Sequence, residues 1–348
     1  MDAPQEFHYR IPGRVPGRRP GSHAGSSVGS GQEFIAHMNL YDYPDPRRLD
    51  LRASLRSFDE KWLVRVNRQR AGINVWALVD VSASMAFGSN RSKLQVTADF
   101  VEALGLSAFR VGDAAGLMAF DVVERSDLFI PARVSRGMGT MMSRALLDRA
   151  GAGPTARDGI PPRPHARKSH VRERQVREGR PPERHAREWD AKQGYSLERQ
   201  PEERRAEQRR MREGQLGDIG AGLEAVASRL VGQQGLVFLV SDFHWPLERL
   251  GTALDYLAHT TVVPIVVWDP AETEPPTRNA LATLRDAESS ARRTLWIRPK
   301  LRDEWRRSVA ERRAEINTLL ATRNLHPFYM EGAFDADALS RYFFEADA

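Results

Sequence analysis

The 348-residue chain contains no cysteine, which excludes disulfides, thiolate nucleophiles and thiolate metal sites from the start. Long hydrophobic runs are missing too. None approaches the ~18 consecutive apolar residues of a membrane span, and the opening MDAPQEFHYR holds no apolar core of a secretory signal, so a cytoplasmic protein is expected. There is no G-x-x-x-x-G-K-(S/T) phosphate loop, which leaves any ATP hydrolysis to a partner, and no Gly flanks Ser82 or Ser84 as the G-x-S-x-G nucleophile elbow requires. A chain-wide excess of one charge sign is also lacking, despite a formal net charge of +6. Of the 52 basic and 46 acidic residues, 17 and 11 fall between 151 and 213, which leaves 35 of each sign elsewhere. The basic character belongs to one segment and not to the folded body.

What is present is a 41 % hydrophobic fraction, enough for a sizeable core, laid out as short apolar runs between helix-length segments. INVWALVDV (73–81), GLVFLV (235–240) and TTVVPIVVW (260–268) are apolar at nearly every position, the pattern of strands buried on both faces. KLQVTADFVEALGLSAFR (93–110) repeats its apolar residues at three and four, as a helix does. So does the stretch from 301 to 324, where Trp305, Val309, Ile316, Leu319 and Leu320 share a face. AAGLMAF (114–120) and RSDLFI (125–130) read as an edge hairpin. TLWI reads as a late strand, and HPFYM with the helix around DADALSRYFF closes the chain. The expectation is an α/β fold: a doubly wound, mostly parallel sheet, Rossmann-like, with helices on both faces and one edge hairpin.

Residues 34–150 and 214–348 are expected to form one domain. Residues 1–33, rich in Gly, Ser, Pro and Arg, read as a flexible arm. The lead-in after it reads as extended, with Phe34, Tyr41, Tyr43, Phe58 and Trp62 as anchors. Residues 151–213 read as a charged insertion, disordered at first and helical from about Glu198 through Glu and Arg pairs. Counterion release gives such a segment a route to nucleic acid. Its interleaved Glu and its two aromatics, Trp189 and Tyr195, speak against that role, and His165, His170 and His185 lack a metal-ligand spacing.

The first strand ends in Asp80, Ser82 and Ser84, within DVSAS, and the strand GLVFLV runs into Ser-Asp at Asp242. In open parallel sheets ligands bind outside the carboxyl ends of the strands. Carboxylates and hydroxyls are hard oxygen ligands, the type Mg²⁺ accepts. Three other readings compete. The loop is a polar turn that caps the next helix; or His244 completes a Ser, His and Asp hydrolase, against which the missing elbow counts; or an aspartate-based phosphatase, whose second acid would stand where Ser82 does.

D-x-S-x-S after an apolar strand, with a later strand ending in Ser-Asp, resembles the metal-ion-dependent adhesion site of a von Willebrand factor A domain. The resemblance implies that Ser82, Ser84 and a threonine from another loop hold Mg²⁺, that Asp80 and Asp242 act directly or through water, and that an open position accepts a partner's carboxylate. For the threonine there are two counterparts: Gly217, beside Asp218 in QLGDIGAGLEAV, and Thr140 in SRGMGTMMSRALL. More widely, GSGQEFIAHMNLYDYPDPRRLDLRASLRS and RDAESSARRTLWI are similar to stretches of the prokaryotic domain of unknown function fifty-eight. Leu51 stands in place of that family's Trp and Ser290 in place of its Gly. Relatives in that family are encoded beside MoxR-type AAA+ ATPases. The resemblance therefore implies a non-catalytic adaptor that works with such an ATPase in chaperone-like maturation of a client protein or metalloenzyme.

Overall fold

A computed structural model describes residues 5–152 and 218–345, except 14, 16–18, 30, 32, 60, 278–279 and 286–291. The expected insertion lies outside them save for residues 151 and 152, as does Gly217. The apolar runs form the middle of a six-stranded sheet. β4 (Asn74–Asp80) lies between β5 (Ala114–Phe120) and β7 (Gly235–Ser241); β8 (Thr261–Trp268) and β11 (Phe328–Glu331) follow β7 outward, all parallel. β6 (Ile130–Arg133) closes the other edge, antiparallel to β5. Chain on both sides of the 151–213 segment thus builds one sheet.

Alternation along the strands divides the apolar residues between two cores. Val75, Ala77, Val79, Leu236, Phe238 and Val240 face the core covered by α2 (Lys93–Val111), α3 (Met138–Ala152) and α8 (Ala336–Glu345). Trp76, Leu78, Val237 and Leu239 face the other, covered by α4 (Ile219–Ser228), α5 (Leu250–Tyr256) and α7 (Pro299–Ala321). On α7, Ile316 and Leu320 are buried and Val309 and Leu319 pack against them, the face the sequence indicates. Two short helices, α1 (Leu51–Leu55) and α6 (Pro270–Thr273), lie in connections. α2 starts in a capping box, with Ser92 Oγ accepting from Gln95 N at 3.1 Å and the Gln95 side chain accepting from Ser92 N at 2.9 Å. It stops at Gly112, whose φ of +80° a side chain would strain. Among the described residues no helix is long and apolar enough to cross a membrane.

Four expectations need correction. Residues 1–33 are not a free arm throughout. Phe7 is buried against Phe100, Phe238 and Phe334, and Tyr9 lies against Phe343. The Tyr9 hydroxyl and His23 Nε2 meet Asp113 Oδ2 at 2.6 and 2.8 Å, while Asp113 Oδ1 accepts from Ile73 N. β1 (Pro20–Gly29) pairs with β3 (Leu63–Ala71) in a second, antiparallel sheet of order β1-β3-β2, where β2 is Glu33–Asn39. A composition dominated by Gly, Ser and Arg hides two aromatics, each worth about 2 kcal/mol or more when buried.

The lead-in aromatics, by contrast, do not anchor: Phe34, Tyr41, Phe58 and Trp62 are exposed on or beside the edge strand β2 and helix α1. The edge hairpin exists, but its second strand begins at Ile130, because a 3-10 turn at Ser126–Leu128 intervenes and Arg125 is held there by Asp121 and Asp127. TLWI falls in β10 (Arg292–Ile297), which pairs with β9 (Ala280–Arg285) in a separate two-stranded sheet. Exposed Trp296 beside buried Ile297 is the alternation of a half-covered hairpin, and the sheet's last strand is β11.

Candidate functional site

The chain leaves β4 for β5 on one side and later returns to place β7 on the other, so the gap between β4 and β7 is the sheet's switch point. Val79 pairs with Val240 in parallel register, which brings Asp80 and the Ser241–Asp242 pair to neighbouring tips. Asp80 is fully buried and both its oxygens are used: Oδ1 accepts from Ser82 N at 2.9 Å and Oδ2 from Ser241 Oγ at 2.6 Å. Ser241 Oγ in turn accepts from Phe243 N and Trp245 Nε1, each at 3.0 Å. Asp80 therefore ties the two loops together. Burial raises its carboxyl to about 7, with the nearby Asp242 charge adding to the rise and the Ser241 and Ser82 hydrogen bonds opposing it.

Beyond Asp80 the DVSAS loop makes a 3-10 turn, Ala83–Ala86, pinned by buried Met85. Ser82 Oγ lies 3.1 Å from Ser84 Oγ, and the Ser84 hydroxyl hydrogen-bonds Asp242 as well. Asp242 is also fully buried. Its Oδ1 accepts from His244 N at 3.1 Å, and its Oδ2 receives the Lys93 ammonium at 2.6 Å. Phe243, between them, takes a φ of +52°, a left-handed conformation that costs a non-glycine residue about 1–2 kcal/mol and turns the loop back under Trp245.

Lys93 opens α2, and its side chain is 1 % exposed. It reaches a second carboxylate, Glu272 Oε1, at 2.8 Å. Burial opposes the charge on Lys93, and Asp242 and Glu272 together outweigh it, so the ammonium is held above the usual lysine range. Burial likewise opposes the Asp242 charge. Lys93 first, then His244 and Ser84, overcome it and hold this carboxyl well below the usual range. Glu272 is also lowered, with His244 and Lys93 offsetting burial. At the mouth, the His244 ring stacks on Trp268 with centroids 6.0 Å apart, and its Nε2 stands 3.8 Å from Glu272 Oε2. Trp268 Nε1 donates to the Asp242 carbonyl and Trp305 Nε1 to that of Glu272.

Of the residues expected at the site, Asp80, Ser82, Ser84 and Asp242 come together and Thr140 does not. Thr140 is on α3, where its Oγ1 lies 3.4 Å from Glu102. Glu102 follows Lys93 by nine residues on α2, about 14 Å down a helix that rises 1.5 Å per residue. Asp218 caps α4 by accepting from Ala221 N and pairs with Arg249. Among the described residues no three or more His, Asp or Glu side chains are placed to hold a metal ion. The Mg²⁺ expectation fails a test of fit as the residues stand. Ser82 and Ser84 are suitable donors, and each Asp80 oxygen accepts one hydrogen bond, but the Asp242 oxygen a cation would take carries the Lys93 ammonium instead.

Sequence reasoning missed Lys93, Ser241, Glu272 and the role of His244 in the site. One signal was there to read. A lysine as the first residue of a helix opposes the helix dipole, so its presence at the head of KLQVTADF points to a carboxylate nearby. Glu272 was hidden by its second duty, closing a capping box onto Asp269.

The sequence profile described as "Protein of unknown function DUF58" matches residues 42–180 and 207–315, well over half of the chain, and the chain belongs to that family. Proteins of Mycobacterium bovis and Mycobacterium tuberculosis, each named only as an uncharacterized protein, are 32 % identical over 103 residues. The match covers 30 % of this chain and 32 % of each relative, so it spans about a third of their length. Among solved structures, the conserved hypothetical protein BatB from Bacteroides thetaiotaomicron is similar at 12 % identity and a TM-score of 0.35, over 79 % of this chain and 99 % of that one. An aerotolerance-related membrane protein from Bacteroides fragilis is similar at 12 % identity and a TM-score of 0.34, over 79 % and 98 %.

Proposed function

We propose that this DUF58 protein is a non-catalytic adaptor that docks a partner protein on the loops at the carboxyl edge of its sheet. The observation that supports it most is the composition of that edge. The loop after β4 exposes Phe87 at 40 %, and the loop after the adjacent parallel strand β5 exposes Val122 and Val123 at 44 % and 58 %. Between apolar residues of this kind and the buried carboxylates stand half-buried Ser84 and exposed His244. Apolar contacts around a few hydrogen-bonding groups suit a protein surface better than a small substrate, which calls for a concave pocket.

The chemistry of the tip agrees with binding. Hydrolysis by serine needs an effective base within hydrogen-bond reach of the nucleophile, and the one carboxylate that Ser84 reaches, Asp242, is held well below the usual range by Lys93 and is a weak base. Lys93, held charged, offers no base. By resemblance the partner is a MoxR-type AAA+ ATPase, and the pair acts in chaperone-like maturation of a client protein or metalloenzyme.

The test is affinity for that ATPase, measured by biolayer interferometry with Val122→Glu and Val123→Arg. Both side chains are exposed, so each variant should melt with the wild type yet bind at least tenfold more weakly, about 1.4 kcal/mol. Undiminished binding in both would remove this edge as the docking face.

A further inference from the structure

We infer that Lys93 is the resident cation of the strand-tip site, standing in for the divalent ion that the Asp80, Ser82, Ser84 and Asp242 loops would otherwise require, so that the site works without metal. The inference rests on the docking role proposed for this edge and specifies its chemistry.

The placement of the ammonium is hard to explain otherwise. A lysine at the first position of a helix faces the positive end of the dipole, and a side chain 1 % exposed forfeits its hydration. Both penalties are met here by two carboxylates, Asp242 at 2.6 Å and Glu272 at 2.8 Å. The loop is also shaped around this residue. Lys93 N donates to the Phe87 carbonyl at 2.8 Å, and Nζ stands 5.9 Å from the centroid of the Phe87 ring, so the main chain and the ammonium of Lys93 both meet the segment that follows Ser84.

The oxygens a metal would need already serve the chain, and the one on Asp242 nearest the helix start holds the ammonium itself. Asp242 takes the His244 amide on Oδ1 and Lys93 on Oδ2, and Asp80 takes Ser82 N and Ser241 Oγ. A divalent ion entering between the serines and Asp242 would sit a few ångströms from an ammonium and be repelled by it. What the site then offers a partner is the Ser84 hydroxyl and the His244 imidazole at the mouth, hydrogen-bonding groups over the buried Lys93, Asp242 and Glu272 cluster.

Mn²⁺ titration of the full chain, followed by calorimetry, tests this together with ATPase binding in EDTA. Wild type should show no saturable Mn²⁺ site. Lys93→Ala and the nearly isosteric Lys93→Gln, which keeps an amide donor toward Asp242, should each gain one, at least about tenfold above any wild-type affinity, and Asp242→Asn in either background should abolish it. A saturable wild-type site lost in Asp242→Asn, or a folded Lys93→Gln as blind to Mn²⁺ as wild type, would overturn the inference. ATPase binding that survives EDTA supports it. Because the ATPase's own nucleotide takes Mg²⁺, binding abolished by EDTA and restored by Mg²⁺ overturns it when the wild-type chain also shows a saturable Mn²⁺ site, and leaves the adaptor reading intact. If the ATPase does not bind at all, the adaptor reading falls and the Mn²⁺ titration alone judges Lys93.

Discussion

Replacing Lys93 by Met keeps the length of the stem and removes the ammonium, leaving Asp242 without its balancing charge inside a site with no exposure to water. Removing one partner of a buried ion pair costs about 3–5 kcal/mol, mostly the penalty of the orphaned charge. Asp242 accounts for nearly all of it, because Glu272 lies at the mouth, where water and His244 are within reach. The loss has a definite dependence on pH. In wild type the Asp242 carboxyl is held below its unfolded value, so the pair's stabilisation is present above about pH 4 and is lost only as pH falls through the depressed value. In the variant the largest opposing cause is gone, and burial, the first of the causes, outweighs His244 and Ser84 and raises that carboxyl. The native state then keeps a proton the unfolded chain has released, and stability falls as pH rises above about 4. The gap between the two proteins should widen from about pH 5 to about pH 7.5 in urea denaturation curves. Adding Asp242→Asn to Lys93→Met should restore at least about 2 kcal/mol at the higher pH, as a coupled pair requires. A loss below about 1 kcal/mol at pH 7.5, or one of the same size at both pH values, would refute the reasoning.

Asp80 predicts the opposite slope within wild type. Its carboxyl is raised to about 7, so the native state retains a proton that the unfolded chain loses near pH 4, and this group should lower stability by a few kcal/mol as pH rises through that window. Asp80→Asn should flatten that part of the stability profile, and parallel profiles would show that another group titrates there. At the opposite end of the sheet, Phe7→Ala should cost about 3–5 kcal/mol, as for other buried Phe residues. Tyr9→Phe should cost about 1–2 kcal/mol, since it takes one of three donors from buried Asp113. A Phe7→Ala loss below about 1 kcal/mol in the same denaturation assay would mean that the N-terminal segment contributes little to the core.

The central sheet was legible because β4, β7 and β8 are buried on both faces, and that demand leaves unbroken apolar runs in the sequence. The tip was legible for a related reason: polar residues that abruptly end such a run, as Asp80 and Asp242 do, have no place in the core and must serve the loops. The second sheet was not. β1 and β2 are edge strands rich in Gly, Ser and exposed side chains, held by main-chain bonds to β3 that any residue except Pro can make. Nor was the burial of Phe7 and Tyr9, which depends on partners such as Phe334 and Phe343 more than three hundred residues away.

Lys93 shows what a motif omits. D-x-S-x-S specifies which oxygens a loop presents, while the occupancy of that loop depends on the sum of charges brought by every element that meets there. Here β4, β7, the start of α2 and the capping turn after β8 contribute Asp80, Asp242, Lys93 and Glu272. With Asp80 inclined to hold its proton, the remaining two carboxylates share one ammonium, which leaves the cluster one negative charge in excess. His244, 3.8 Å from Glu272 and open to solvent, borders that excess at the mouth. The cation that such a loop needs can therefore come from the chain itself, and a single residue at a helix start decides whether the site must wait for a metal.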